Sequence, residues 1–194
     1  MSLSERIRIQ NTKIISDDVY VLKQTRFEFL RSDGHWQSQR RETYEKGDGA
    51  AILLYNLDAG TIVLVRQFRY PAYVHGYKDL LLEAPARMLD SESPETRILK
   101  EVKEETGFRV KNATKIFEAF MSPGALTEKI YFFIAEYSAM DRFSQGGGLQ
   151  SEGEDLEVLE LCFDAAFAMI AGGGIHDAKT IMLQQYAAFN IFRK

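Results

Sequence analysis

Residues Ala86 to Phe108 read ARMLDSESPETRILKEVKEETGF. Ser93 can cap a helix here, and Pro94 fits its first turn, where a missing N–H is no loss. Glu95 favours the positive end of the helix dipole. Ile98, Leu99 and Val102 recur at helical spacing and belong on the core side. Gly107 suits the left-handed position that stops a helix. The spacing therefore predicts a helix over 93–106. Glu101, Glu104 and Glu105 crowd one side of it near the C-terminal end, where negative charge is unfavourable. Like-charge pairs at this spacing cost roughly 0.2–0.5 kcal/mol each. A divalent cation removes the conflict, and carboxylates are suitable hard ligands for Mg²⁺. From spacing alone, a solvated Glu/Lys helix balanced by Lys100 and Lys103 is the competing reading.

Outward from this helix, 50–56 (AAILLYN) and 61–68 (TIVLVRQF) are apolar strands joined by a turn at Leu57–Gly60. A loop follows through Pro71 and Gly76, then the run Leu80–Leu82 ending at Glu83. Residues 114–120, 129–137 and 156–162 read as strands. Asp164 can cap a short helix ending near Ala171, and Asp177 a last helix through about Phe189. Towards the N-terminus, 18–30 and 35–45 read as two strands around the turn Ser32-Asp33-Gly34. Gly47-Asp48-Gly49 marks a boundary. The expected architecture is α/β (α+β), a mixed sheet core between helices, with a small antiparallel extension at 1–45 and the main domain at 46–194. A two-stranded extension is marginal alone and must pack on the main domain or on another subunit.

A chain of 194 residues can bury a substantial core, and 45% hydrophobic with 27% charged residues is ordinary globular composition. A net charge of −4 argues against a broad nucleic-acid footprint, so no nucleic-acid partner is expected. The single cysteine, Cys162, excludes an intrachain disulfide and fits a reducing compartment. Its apolar surroundings, Val158–Phe163, suggest a core position. No apolar run reaches the roughly eighteen residues of a membrane span, and Met1–Gln10 lacks the apolar centre of a signal peptide. The expectation is a cytoplasmic protein with no membrane partner.

A second acidic stretch, Glu152, Glu154 and Asp155, follows the glycines Gly146-Gly147-Gly148. On composition it reads as a surface loop.

The segment from Ala86 resembles the Nudix box: Gly, five residues, Glu, seven residues, then Arg-Glu-hydrophobic-any-Glu-Glu-any-Gly-hydrophobic. Glu92, Glu101, Val102, Glu104, Glu105, Gly107 and Phe108 match at the proper spacing. Two departures stand out. Lys100 replaces the usual Arg and lacks its bidentate fork. The box glycine is missing: strict counting puts Ala86 there, whereas the lead-in Glu83-Ala84-Pro85-Ala86 puts Arg87 there. The resemblance implies a Mg²⁺-dependent hydrolase with the Nudix fold. It implies the Ala86 carbonyl, Glu101 and Glu105 as main metal ligands, Glu104 for a second metal or a water, and Glu92 in support.

SEGEDLEVLEL resembles a late Glu-any-Glu-Asp segment of the nucleoside diphosphate sugar branch. This implies Glu152 as catalytic base and Glu154 at the metal, with the two roles exchangeable. The loop Ser122-Pro123-Gly124 with Thr127-Glu128 resembles the same branch. Tyr20, Arg40, Arg41, Glu42, Arg69 and Lys179 match positions expected to hold substrate, and the Arg fork suits phosphate. The implied reaction converts a nucleoside diphosphate sugar, GDP-mannose first, to a nucleoside monophosphate and a sugar 1-phosphate. ADP-ribose, giving AMP and ribose 5-phosphate, is the alternative substrate. A silent Nudix domain for ligand binding or protein interaction is the alternative of another class. The resemblance also implies a homodimer, to which Trp36, Phe27 and Phe29 would contribute anchors.

Overall fold

The computed structural model describes residues 2–149, 151 and 153–192. The chain forms two compact units. One runs up to Asp48 and takes in Phe120–Lys129; the other comprises Gly49–Ala119 and the chain from Ile130 onward.

The first unit is a three-stranded antiparallel sheet, β1 (Ile7–Asp17), β2 (Val21–Leu30) and β3 (Trp36–Glu45), in that order. The expected pair of strands is β2 and β3. Strand β1 escapes a period-two reading because its register slips between Ile9 and Asn11 and again between Ile14 and Ser16. Residues 18–20, expected to open the second strand, form the turn before it. The loop from the middle of the chain is tied to β3: the Tyr44 N–H donates to the Ala125 carbonyl (2.8 Å), and Lys46 pairs with Glu128 (2.5 Å).

The second unit is built on a mixed seven-stranded sheet: β4 (Gly49–Asn56), β5 (Thr61–Gln67), β6 (Leu81–Glu83), β7 (Ala86–Met88), β8 (Thr114–Phe120), β9 (Lys129–Glu136) and β10 (Glu157–Cys162). The main order is β10-β5-β4-β9-β8, with β6 paired to β5 and β7 to β4. β4 runs parallel to β9 and antiparallel to β5 and β7. Gly49 to Leu54 are all buried, which fits the unbroken apolar character of a central strand covered on both faces. Helix α1 (Tyr70–His75) occupies what reads as loop; Pro71 suits a first helical turn, and Gly76 at φ 118° ends it. The other helices are α2 (Pro94–Glu101), α3 (Phe163–Ala171) and α4 (Ala178–Ala187).

The core packs Ala50, Ile52 and Leu54 of β4 against Ile98 and Val102, with Phe108 and Phe133 beside them. Burying a side chain such as Ile98 contributes about 1.5–3 kcal/mol. Two details differ from the sequence reading. Asp164 lies inside the first turn of α3, whose cap position is Cys162 with no side-chain hydrogen bond. Cys162 is exposed, standing at the end of the edge strand β10, where it pairs with Thr61.

Candidate active site

Helix α2 begins as its sequence requires. The Ser93 hydroxyl accepts from the Thr96 N–H, and Pro94 stands in the first turn. After Glu101 the helix widens into a π turn over Val102–Thr106, and Gly107 closes it at φ 73°. π turns are rare and often accompany functional sites. Glu101 and Glu105 stay close together across this one. Glu101 and Glu105 are 1% and 2% exposed. Glu104 is half-exposed and faces Arg97 at 3.9 Å.

A third carboxylate arrives from far along the chain. The glycine run crosses the end of the π turn: the Gly147 N–H donates to the Glu105 carbonyl (2.8 Å) and the Gly148 N–H to the Glu104 carbonyl (3.3 Å). The approach leaves no room for side chains. A Cβ on Gly146 would lie 2.3 Å from the Glu105 carbonyl oxygen, and one on Gly107 2.3 Å from that of Ser144. The loop then places Glu154, which accepts from the Leu149 N–H (2.8 Å). One carboxylate oxygen each from Glu101, Glu105 and Glu154 lie within 4.8 Å of one another.

These groups suit a hard divalent cation. Burial, followed by the nearby charge of Glu101, pushes the Glu105 carboxyl well above its usual range. Burial also raises Glu101 to about 7, against the pull of Arg87. Among the described residues, Oε2 of Glu101 and Oε2 of Glu105 have no hydrogen-bond partner. Orphaned buried carboxylate oxygens are costly unless a cation meets them, and three converging carboxylates fit Mg²⁺.

The cations around the cluster are not those the motif suggests. Lys100, in the box's usual Arg position, is turned to Glu92. Arg97, one turn before Glu101, lies 3.7 Å from it. Arg87, on β7 opposite Ala50, donates to Glu154 at 3.0 Å and stands 3.6 Å from Glu101. Neither arginine is marked by the spacing of the acids.

The other sequence candidates fall into separate groups. Ala86 pairs with Ala51 of β4 on the strand that carries Arg87. Glu152 lies outside the described residues. Arg69 and Lys179 come together on the buried Glu83, at 2.6 and 3.7 Å. Lys179 also pairs with Asp177 (2.5 Å), which caps α4 by accepting from the Thr180 N–H. The Thr180 hydroxyl accepts from the Ala84 N–H (2.7 Å), so α4 is tied to the strand that bears Glu83. In the sequence Glu83 stands out as the charge ending the run Leu80–Leu82 and as the start of the lead-in to the box, not as a partner of Arg69 and Lys179. Tyr20, Arg40, Arg41 and Glu42 all lie in the N-terminal unit. Tyr20 meets Tyr44 edge-on with ring centroids 5.6 Å apart, Glu42 accepts from Gln24 (3.1 Å), and Arg40 and Arg41 are exposed.

The helix–glycine–acid arrangement on a mixed sheet defines a Nudix-type metal hydrolase. Residues 6–44 match the family model described as the GDP-mannose pyrophosphatase NudK N-terminal domain. A GDP-mannose pyrophosphatase of Pectobacterium atrosepticum is 50% identical over 186 residues, covering 95% of both chains. One from Klebsiella pneumoniae is 46% identical over 185 residues, covering 95% of this chain and 92% of the relative. A solved structure titled as an ADP compounds hydrolase superposes with a TM-score of 0.72 over 95% of this chain and 93% of that one, at 17% identity, and so shares the fold. The chain belongs to the Nudix hydrolase family, in the group of the GDP-mannose pyrophosphatases.

Proposed function

We propose that this enzyme hydrolyses the diphosphate of nucleoside diphosphate sugars with Mg²⁺, GDP-mannose being the preferred substrate. The observation that carries the reading is the buried convergence of Glu101, Glu105 and Glu154, in a chain matched nearly end to end by relatives named for that reaction. Glu101, Glu105 and Glu154 would hold the cation, with the Ala86 carbonyl beside them. Mg²⁺ supplies positive charge against the diphosphate and makes a water molecule more acidic. Glu152 is the first choice to take the proton from the attacking water, with Glu104 orienting it. Arg69 and Lys179, already paired to Glu83, are the proposed phosphate contacts in this unit. Attack at one phosphorus releases GMP and mannose 1-phosphate. The test is a set of kcat/KM values for nucleoside diphosphate sugars and ADP-ribose. GDP-mannose should lead, and a clear preference for ADP-ribose would replace the substrate while leaving the reaction class.

We further propose a homodimer in which the N-terminal extension, with Tyr20, Arg40, Arg41 and Glu42, helps build the partner's substrate site. Exposed Ile7, Ile9, Ile14 and Ile15 on β1 support burial against another surface. Inactive Arg41→Ala and Glu105→Gln chains, unfolded and refolded together, should regain activity in heterodimers. Heterodimers without activity would reject the shared site, and a monomer at micromolar concentration would reject the dimer. A cytoplasmic location is proposed as well, supported by the lone cysteine and the substrate class.

A further inference from the structure

Arg87 enters the carboxylate cluster from the strand side. Its backbone is fixed by pairing of β7 with β4, Arg87 opposite the fully buried Ala50. Its guanidinium donates to Glu154 at 3.0 Å and stands 3.6 Å from Glu101. Those two acids, with Glu105, are the groups that converge for a cation. The side chain is only 21% exposed, so water screens these contacts weakly. An arginine stays charged throughout the useful pH range, and a fixed positive charge beside a carboxylate opposes the arrival of a second one. Arg97 also approaches Glu101 (3.7 Å), but it belongs to the same helix and is also drawn to Asp90 (3.8 Å) and Glu104 (3.9 Å). Arg87 alone among the described cations bridges the helix acid Glu101 and the loop acid Glu154.

We propose that Arg87 is a built-in counter-ion of the metal-free enzyme, holding Glu154 against Glu101 until a divalent cation displaces it. The arginine keeps the glycine-rich loop assembled without metal and weakens metal binding by the same contact. Metal occupancy is thus an exchange of one cation for another, with Glu154 passing between them.

The test measures Mn²⁺ binding to substrate-free protein by electron paramagnetic resonance of the free ion, together with the melting temperature in EDTA. Arg87→Gln should bind Mn²⁺ about tenfold more tightly than the wild type, the size expected when one nearby opposing charge is removed. It should also melt at a lower temperature in EDTA and gain more from added metal. Arg87→Lys, which keeps the charge, should stay close to wild type in affinity. Arg87→Met, which keeps the aliphatic stem, gives the same comparison if the Gln variant folds poorly. Unchanged or weaker Mn²⁺ binding in the folded neutral variants overturns the proposal, as does an equal gain in Arg87→Lys.

Discussion

Replacing Glu101 by Gln should stabilise the metal-free protein while destroying its activity. The carboxyl is 1% exposed and its pKa rises from 4.5 to about 7, burial being the largest cause. A group whose folded pKa is raised adds stability that is complete below the unfolded pKa and is lost as pH climbs through the folded one. Without metal, the wild type should therefore weaken between about pH 4.5 and 7 and stay weakened above. A shift of that size corresponds to about 3 kcal/mol at pH 8. In a chain of this length each kcal/mol moves the melting point by roughly 2–4 °C. Glu101→Gln removes the buried charge, so its melting point in EDTA at pH 8 should exceed the wild type's by roughly 6–12 °C, and by little at pH 5. Added Mg²⁺ should raise the wild type far more at pH 8 than at pH 6 and leave the variant nearly unmoved. Turnover at saturating Mg²⁺ should fall by at least about 10²-fold. Scanning calorimetry with and without EDTA across this pH range tests the stability claim. A variant no more stable than wild type at pH 8 in EDTA would refute the electrostatic reasoning, and near-normal turnover would refute the ligand assignment.

Gly146→Ala would set a Cβ 2.3 Å from the Glu105 carbonyl oxygen in a left-handed backbone. It should cost about 1–3 kcal/mol of stability and displace Glu154, which denaturant melts and the Mg²⁺ dependence of turnover will report. Lys179→Ala should raise KM for the sugar nucleotide about tenfold with a smaller change in kcat, since it removes a contact present before and during reaction. Steady-state kinetics that show only a fall in kcat would take Lys179 out of substrate binding.

The chemistry was legible where it depends on local pattern. Ser93, Pro94 and Gly107 bound the helix, and the spacing of Glu101 and Glu105 marks the metal side. The loop acid Glu154 was legible only through the resemblance of its Glu-any-Glu-Asp segment, and only the fold shows why the glycines before it are needed, at the crossing of Gly146 over Gly107. What escaped depends on tertiary packing. The π turn after Glu101 leaves no mark in an apolar period. Lys100 occupies the motif's cation position yet serves Glu92, while the arginines beside Glu101 come from one turn earlier in α2 and from a separate strand. Glu83 gathers Arg69, fourteen positions before it, and Lys179, ninety-six positions after it, a pairing that only the fold can disclose. Strand β1 was hidden because two register slips break its alternation.

Product analysis of GDP-mannose turnover, with Mg²⁺ and again with EDTA, shows whether the enzyme cleaves the diphosphate bond and needs the cation to do so. GMP and mannose 1-phosphate should form in equal amounts with Mg²⁺ and not at all with EDTA. Release of GDP and free mannose, or no turnover by folded protein at saturating Mg²⁺, would contradict it.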